Sequence, residues 1–87
     1  MLSTTFTHMG ISVPQHTLGG IRRYVEDRIP PGGFLTAVLC NDLTEAVGRA
    51  DSENTYALPA IVAYIYNETP ADCHGSREIV AKWLDHA

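Results

Sequence analysis

Residues 28–36 read Arg-Ile-Pro-Pro-Gly-Gly-Phe-Leu-Thr, and this cluster limits the topology more than any other stretch of the chain. Two adjacent prolines lack the N–H groups that a helical ladder needs, and two glycines loosen the backbone beside them, so no single helix runs through. Helical patterns lie on both sides. Before the cluster, Leu18, Ile21, Val25 and Ile29 recur three and four apart; after it come Phe34, Leu35, Val38, Leu39, Leu43, Ala46, Val47 and Ala50. The spacing predicts a helix over 17–29, capped by Thr17 and stopped by Pro30, and a long helix over 34–50. A short connection returns the second helix antiparallel to the first, as an αα-hairpin in which glycine supplies the permissive backbone angles. With the turn centred between Pro31 and Gly32, Val25 lies level with Val38, Ile29 with Phe34, and Ile21 and Arg22 with Asn41 and Asp42.

A third helix carries Leu58, Ile61, Val62 and Ile65 behind a cap at Asp51 or Ser52. Pro59 fits only a first turn without loss, so this helix starts near residue 56, or starts near 52 and bends at the proline. The stretch Asn67-Glu68-Thr69-Pro70 ends it, and Ser76 caps a short last helix with Ile79, Val80, Trp83 and Leu84 inward. Residues 1–16 are rich in threonine and alternate Met9, Ile11, Val13 before Pro14, which predicts an extended arm. The expected fold is therefore all-α: a four-helix domain over 17–87 built on the αα-hairpin, with an extended N-terminal arm over 1–16.

Eighty-seven residues make one domain. Only 18% of them are charged, against about 25% in ordinary soluble domains. So low a fraction on so small a protein predicts apolar surface covered by a partner or a second copy. The arm adds to this expectation, since Leu2, Phe6, Met9, Ile11 and Val13 have no evident place in a four-helix core, and a two-fold dimer using the arm and part of the third helix would cover them. The net charge is −4, and residues 34–72 hold six acids against Arg49 alone, a local balance of −5. With six basic residues in all, direct nucleic-acid binding is not expected. The opening Met-Leu-Ser-Thr-Thr-Phe lacks the basic start and apolar run of a signal peptide, no membrane span is expected, and two dispersed cysteines, Cys40 and Cys73, suit a reducing cytoplasm.

The glycine corner is not a phosphate loop of the Walker type, because no lysine follows the glycines and the next basic residue is Arg49. Metal ligation is not expected, since Cys73-His74 are adjacent and His8, His16 and His86 show no ligand spacing; cysteine catalysis likewise lacks a positioned histidine. No cofactor is expected, and no enzymatic activity. Asp42 falls inside the apolar stripe of the predicted 34–50 helix, where a lone carboxylate is costly, so an ion pair with Arg22 is expected. Tyr64 lies off the stripe of the third helix, which leaves its ring for the edge of the core or for an interface. The residues most suited to binding are Arg22, Arg23, Tyr24, Tyr64, Asp42 and Glu45.

Two blocks carry a resemblance: GIRRYVEDRIPPGGFLTAVLCNDLTEAVGRADSEN and YNETPADCHGSREIVAKWL, together about residues 20–84. They resemble small uncharacterised proteins widespread in tailed-phage and prophage genomes, with an I-P-P-G-x-F-L-T-A-V-L-x-N-D-L core and a later C-x-G-S and W-L. Where many relatives look to carry tryptophan before that glycine, this chain has His74. The resemblance implies a phage origin, and small phage proteins without catalytic residues mostly act by binding. The expected function is a cytoplasmic accessory protein that docks on a host or phage protein, plausibly against a defence system such as CRISPR. The alternative is a small-ligand binder, such as a sponge for a nucleotide signal, using Arg22, Arg23, Tyr24 and the glycine corner at an oligomer interface.

Overall fold

Helix α1 (Gln15–Asp27) starts two residues before Thr17, on Pro14. Thr17 is therefore not the expected cap. It is buried in the first turn, and its hydroxyl donates to Asn54 Oδ1 at 2.6 Å. A computed structural model describes residues 5–85. In it α1 is followed by α2 (Gly33–Leu39), α3 (Leu43–Arg49), α4 (Ser52–Glu68), a 3₁₀ turn at Ala71–Cys73, and α5 (Arg77–Asp85). The chain is mainly helical, as expected, with five α-helices among the described residues instead of four.

The extra helix comes from a break in the predicted 34–50 segment. Asn41 takes a left-handed conformation, φ 63°, and Asp42 caps α3 by accepting from the Glu45 N–H at 3.3 Å. Asparagine tolerates that conformation better than most residues, and aspartate is a strong cap, so Asn-Asp is a stop followed by a start. Asp42 consequently sits at a helix end and not within an apolar stripe. Its ion-pair partner is Arg77 of α5 at 3.0 Å, not Arg22. The pair is partly solvated, and its loss is correspondingly mild. Asp42→Ala is expected to cost about 1–2 kcal/mol, the sum of a helix cap and a surface ion pair. Chemical denaturation checks this, and a loss above about 3 kcal/mol would restore the idea of a buried pair.

The corner behaves differently from expectation too. Its left-handed residue is Arg28, φ 57°, while neither Gly32 nor Gly33 has positive φ. The Arg28 N–H closes α1 on Tyr24 O at 3.1 Å. Its guanidinium lies 3.4 Å from the Trp83 ring centroid and donates to Trp83 O at 2.9 Å. The Trp83 indole in turn donates to Tyr24 O at 3.0 Å, so α5 is fastened to the end of α1. Helices α1 and α2 do not meet in the level register either. A Cβ on Gly20 would stand 3.0 Å from Leu35 Cδ1, whereas level pairing would bring Leu43 there.

The arm forms a hairpin, β1 (Thr7–His8) with β2 (Ile11–Ser12), paired antiparallel as Thr7 with Ser12 and His8 with Ile11. Its turn places Met9 and Gly10 at φ 55° and 79°, the two left-handed angles a tight hairpin requires. The hairpin packs on α4 of its own chain. Val13 is buried, Ile11 is half-buried, and the Phe6 ring meets Tyr64 edge-on at 5.2 Å between centroids. Phe6, Ile11 and Val13 thus have a place within the chain, while Met9 at the hairpin turn is 85% exposed; Leu2 lies outside the described residues. A chain shortened to begin at Gln15 would lose Phe6 and Val13 from the packing, so it would test folding before assembly.

The core joins Leu18, Ile21 and Tyr24 of α1, Leu35 and Leu39 of α2, and Ala57, Ala60, Ile61, Tyr64 and Ile65 of α4 to Val13, Cys73 and Val80. Phe34, Trp83 and Leu84 pack partly buried at its edge. Asp51 caps α4 on the Asn54 N–H at 2.8 Å and Ser76 caps α5 on the Ile79 N–H at 3.1 Å, both as expected. Helix α4 begins at Ser52 and passes through Pro59, whose ring faces solvent.

Candidate functional site

The break at Asn41 rotates α3 so that Ala46 faces the core and the larger residues face out. Leu43 is 68% exposed and Val47, one turn on, is 51% exposed. Helix α4 buries Ala57, Ala60, Ile61, Tyr64 and Ile65 and leaves Leu58, Val62 and Tyr66 on one outer stripe four residues apart. Val62 is 48% and Tyr66 76% exposed. The two stripes are neighbours. A small notch between them is lined by Leu43, Ala46, Leu58 and Val62. It continues into a groove of about 420 Å³ lined by Val38, Val62, Ile65, Tyr66, His74 and Gly75. The result is an apolar face across α3 and α4, with Asp42 at its edge.

His74 and Gly75 are held at this groove by the turn after α4. Gly75 has φ 128°, a conformation closed to most side chains, and its N–H donates to Leu39 O at 2.8 Å. The C-x-G-S stretch is thus a clasp on the end of α2. His74 Nε2 is buried and lacks a hydrogen-bond partner, and burial holds the imidazole below its ordinary pKa. The unfolded chain therefore takes up a proton first as pH falls, and stability present above about pH 6.5 is lost as pH drops through the folded value. A thermal midpoint that declines between about pH 7 and 5, and declines less in His74→Gln, is the expected result. Equal declines in both proteins would assign the effect to other groups.

A second concavity, about 400 Å³, lies between the first half of α1, the 29–33 turn, the end of α3 and the start of α4. Arg23 and Arg49 line it, with Phe34 and Pro31 as apolar wall and the buried Thr17–Asn54 pair among its lining residues. Arg49 is oriented by Glu45 at 2.7 Å. At the rim His16 Nε2 stands 3.7 Å from Asp51 Oδ2, and with Glu53 these exposed groups offer ligand atoms within 4.8 Å of one another. Sequence spacing gave no sign of that grouping, since His16 and Asp51 come from different helices.

The six residues expected to bind are thus dispersed. Arg23 is exposed on the α1 cleft, Asp42 lines the α3–α4 notch, and Glu45 sits against Arg49 away from that notch, both acids already in ion pairs. Arg22 is half-buried, with Nε lacking a partner. Tyr24 and Tyr64 are fully buried core residues and present no ring to a ligand. Burial pushes the Tyr24 phenol well above its ordinary pKa, and its hydroxyl donates to Cys73 O at 2.7 Å. The exposed rings are Tyr56 and Tyr66. Both cysteines are free thiols, raised in pKa chiefly by burial. No helix among the described residues is long and apolar enough to cross a membrane. Comparison with known proteins finds no matching family model, no matching curated protein and no matching solved structure.

Proposed function

We propose that this chain is a phage-encoded accessory protein that works by binding, without catalysis, to a host or phage protein in the host cytoplasm, and that the outcome is to blunt a host defence system of the CRISPR kind. The observation that carries the binding part is the α3–α4 face: Leu43, Val47, Val62 and Tyr66 stand exposed on adjoining stripes beside an apolar groove. Contiguous apolar surface on a small domain marks a contact site far more often than isolated apolar residues do. The segment that carries the face is acidic overall, six acids against one base over residues 34–72, which favours a partner with basic residues around an apolar ridge. The phage origin rests on the sequence resemblance alone.

A second copy is the other occupant this face accommodates, since a two-fold contact needs only one self-complementary patch. Here both copies bring the same acids, so such a dimer would tighten with added salt, whereas binding to a basic partner would weaken. Purifying the tagged chain from infected cells and weighing the complex by native mass spectrometry separates the two. A stoichiometric second protein supports docking on a partner, twice the mass of 9.5 kDa supports the homodimer, and a bare monomer contradicts both.

A further inference from the structure

The cleft beside the Pro-Pro-Gly-Gly corner shares no lining residue with the α3–α4 groove, and its construction is not explained by docking through that face. Glycines surround it, and none of those is required by backbone angle, because the positive-φ glycines among the described residues are Gly10 and Gly75. What they provide is room. A Cβ on Gly33 would stand 3.0 Å from Arg49 Nη1 and 3.2 Å from its Cδ, and one on Gly19 would stand 3.2 Å from Arg23 Nη1. Each guanidinium lies where a side chain is missing. Glycine inside a helix is unfavourable by about 0.5–1 kcal/mol against alanine, and α1 carries two in succession.

The charges are arranged for an anion in a chain that is otherwise acidic. Two of the six basic side chains line this cleft, from two different helices. Arg23 has no ion-pair partner among the described residues, and Glu45 fixes the direction of Arg49. The opposing carboxylate, Asp51, is engaged twice, as the cap of α4 and beside His16. Two guanidinium forks reaching in from separate elements match a phosphate, which offers at least three acceptor oxygens and close to two negative charges near neutral pH. One fork already satisfies a carboxylate. A volume of about 400 Å³ is far more than a bare phosphate fills, and Ile29, Pro30, Pro31 and Phe34 make the rest of the wall apolar.

We propose that this cleft binds a phosphate monoester of mononucleotide size, with the phosphate between Arg23 and Arg49 and a flat apolar body against Ile29, Pro31 and Phe34. The proposal is independent of the docking face, and either can fail alone. Titrating AMP into the isotope-labelled full chain, with adenosine as control, tests it by amide NMR. AMP should shift the amides of Gly20, Gly32, Gly33, Phe34 and Arg49 with a dissociation constant below about 1 mM, and Arg23→Gln should weaken it at least about tenfold with the rest of the spectrum unmoved. Adenosine should bind at least about tenfold more weakly than AMP. No shift at those amides, adenosine binding as well as AMP, or full affinity in Arg23→Gln would each overturn the assignment.

Discussion

Replacing Tyr24 by alanine is expected to destabilise the fold by about 3–5 kcal/mol, which is a large share of what a domain of this size has. The ring is completely buried where α1 meets the 3₁₀ turn and α5, with its centroid 6.5 Å from that of Trp83. Truncation removes the ring's contacts and leaves a cavity, and it also strands the carbonyl of Cys73, which accepts from the Tyr24 hydroxyl. Tyr24→Phe isolates the second effect. It keeps the volume and abandons one buried acceptor, so it should cost about 1–2 kcal/mol. Denaturant midpoints of the two variants check the division. If Tyr24→Phe cost as much as Tyr24→Ala, the hydrogen bond to the turn would outweigh the packing.

That tyrosine also shows where the sequence was readable. Its place three residues after Ile21 puts it on the inward stripe of α1, yet its polar tip and the arginines beside it drew it toward a binding role. Two helix starts set by strong chemistry are legible, the caps at Asp51 and Ser76; the corner at Pro30-Pro31 does separate two helices, but α1 already ends at Asp27 on left-handed Arg28, before the prolines. The break in 34–50 is masked in the pattern, because Leu43 and Val47 keep the apolar spacing across Asn41-Asp42. Its local signature was present all the same, in an asparagine able to take φ 63° followed by Asp42 and, three residues later, Glu45, the pattern of a helix start. In α4 the expected stripe is half right, because Ile61 and Ile65 are core residues while Leu58 and Val62 lie on the outer side. The helix buries Ala57, Ala60 and Tyr64, where small residues let neighbours approach, and only tertiary packing decides between that face and the one with Leu58 and Val62.

The candidate sites were legible in part. Arg23 and the glycine corner come together as supposed, but Arg49 joins them from far along the chain and Arg22 does not. The apolar face depends on the turn at Asn41, so no reading that kept one long helix could assemble it. The arm's hairpin was hidden for a related reason. Its turn sets Met9 at φ 55°, where asparagine or glycine is the usual signal.

The second large effect concerns that face. Leu43→Glu combined with Tyr66→Glu should leave the fold intact, because both side chains are mostly exposed and a glutamate at the first position of α3 suits a helix start. Binding through the face should nevertheless collapse, by about 100-fold or more, since two carboxylates would have to be buried in an apolar contact. The loss should be larger than from either change alone. A matched pair at exposed positions away from the face, such as Met9→Glu with Tyr56→Glu, should bind as the parent does.

The most direct measurement is therefore side-by-side purification of parent, Leu43→Glu/Tyr66→Glu and Met9→Glu/Tyr56→Glu chains from phage-infected cells, with the bound mass read by native mass spectrometry and the fold of each checked by thermal melting. The expected result is one stoichiometric partner protein on the parent and on the Met9/Tyr56 variant, and none on the Leu43/Tyr66 variant at an unchanged melting temperature. The same partner retained on all three, or none on the parent, would contradict it.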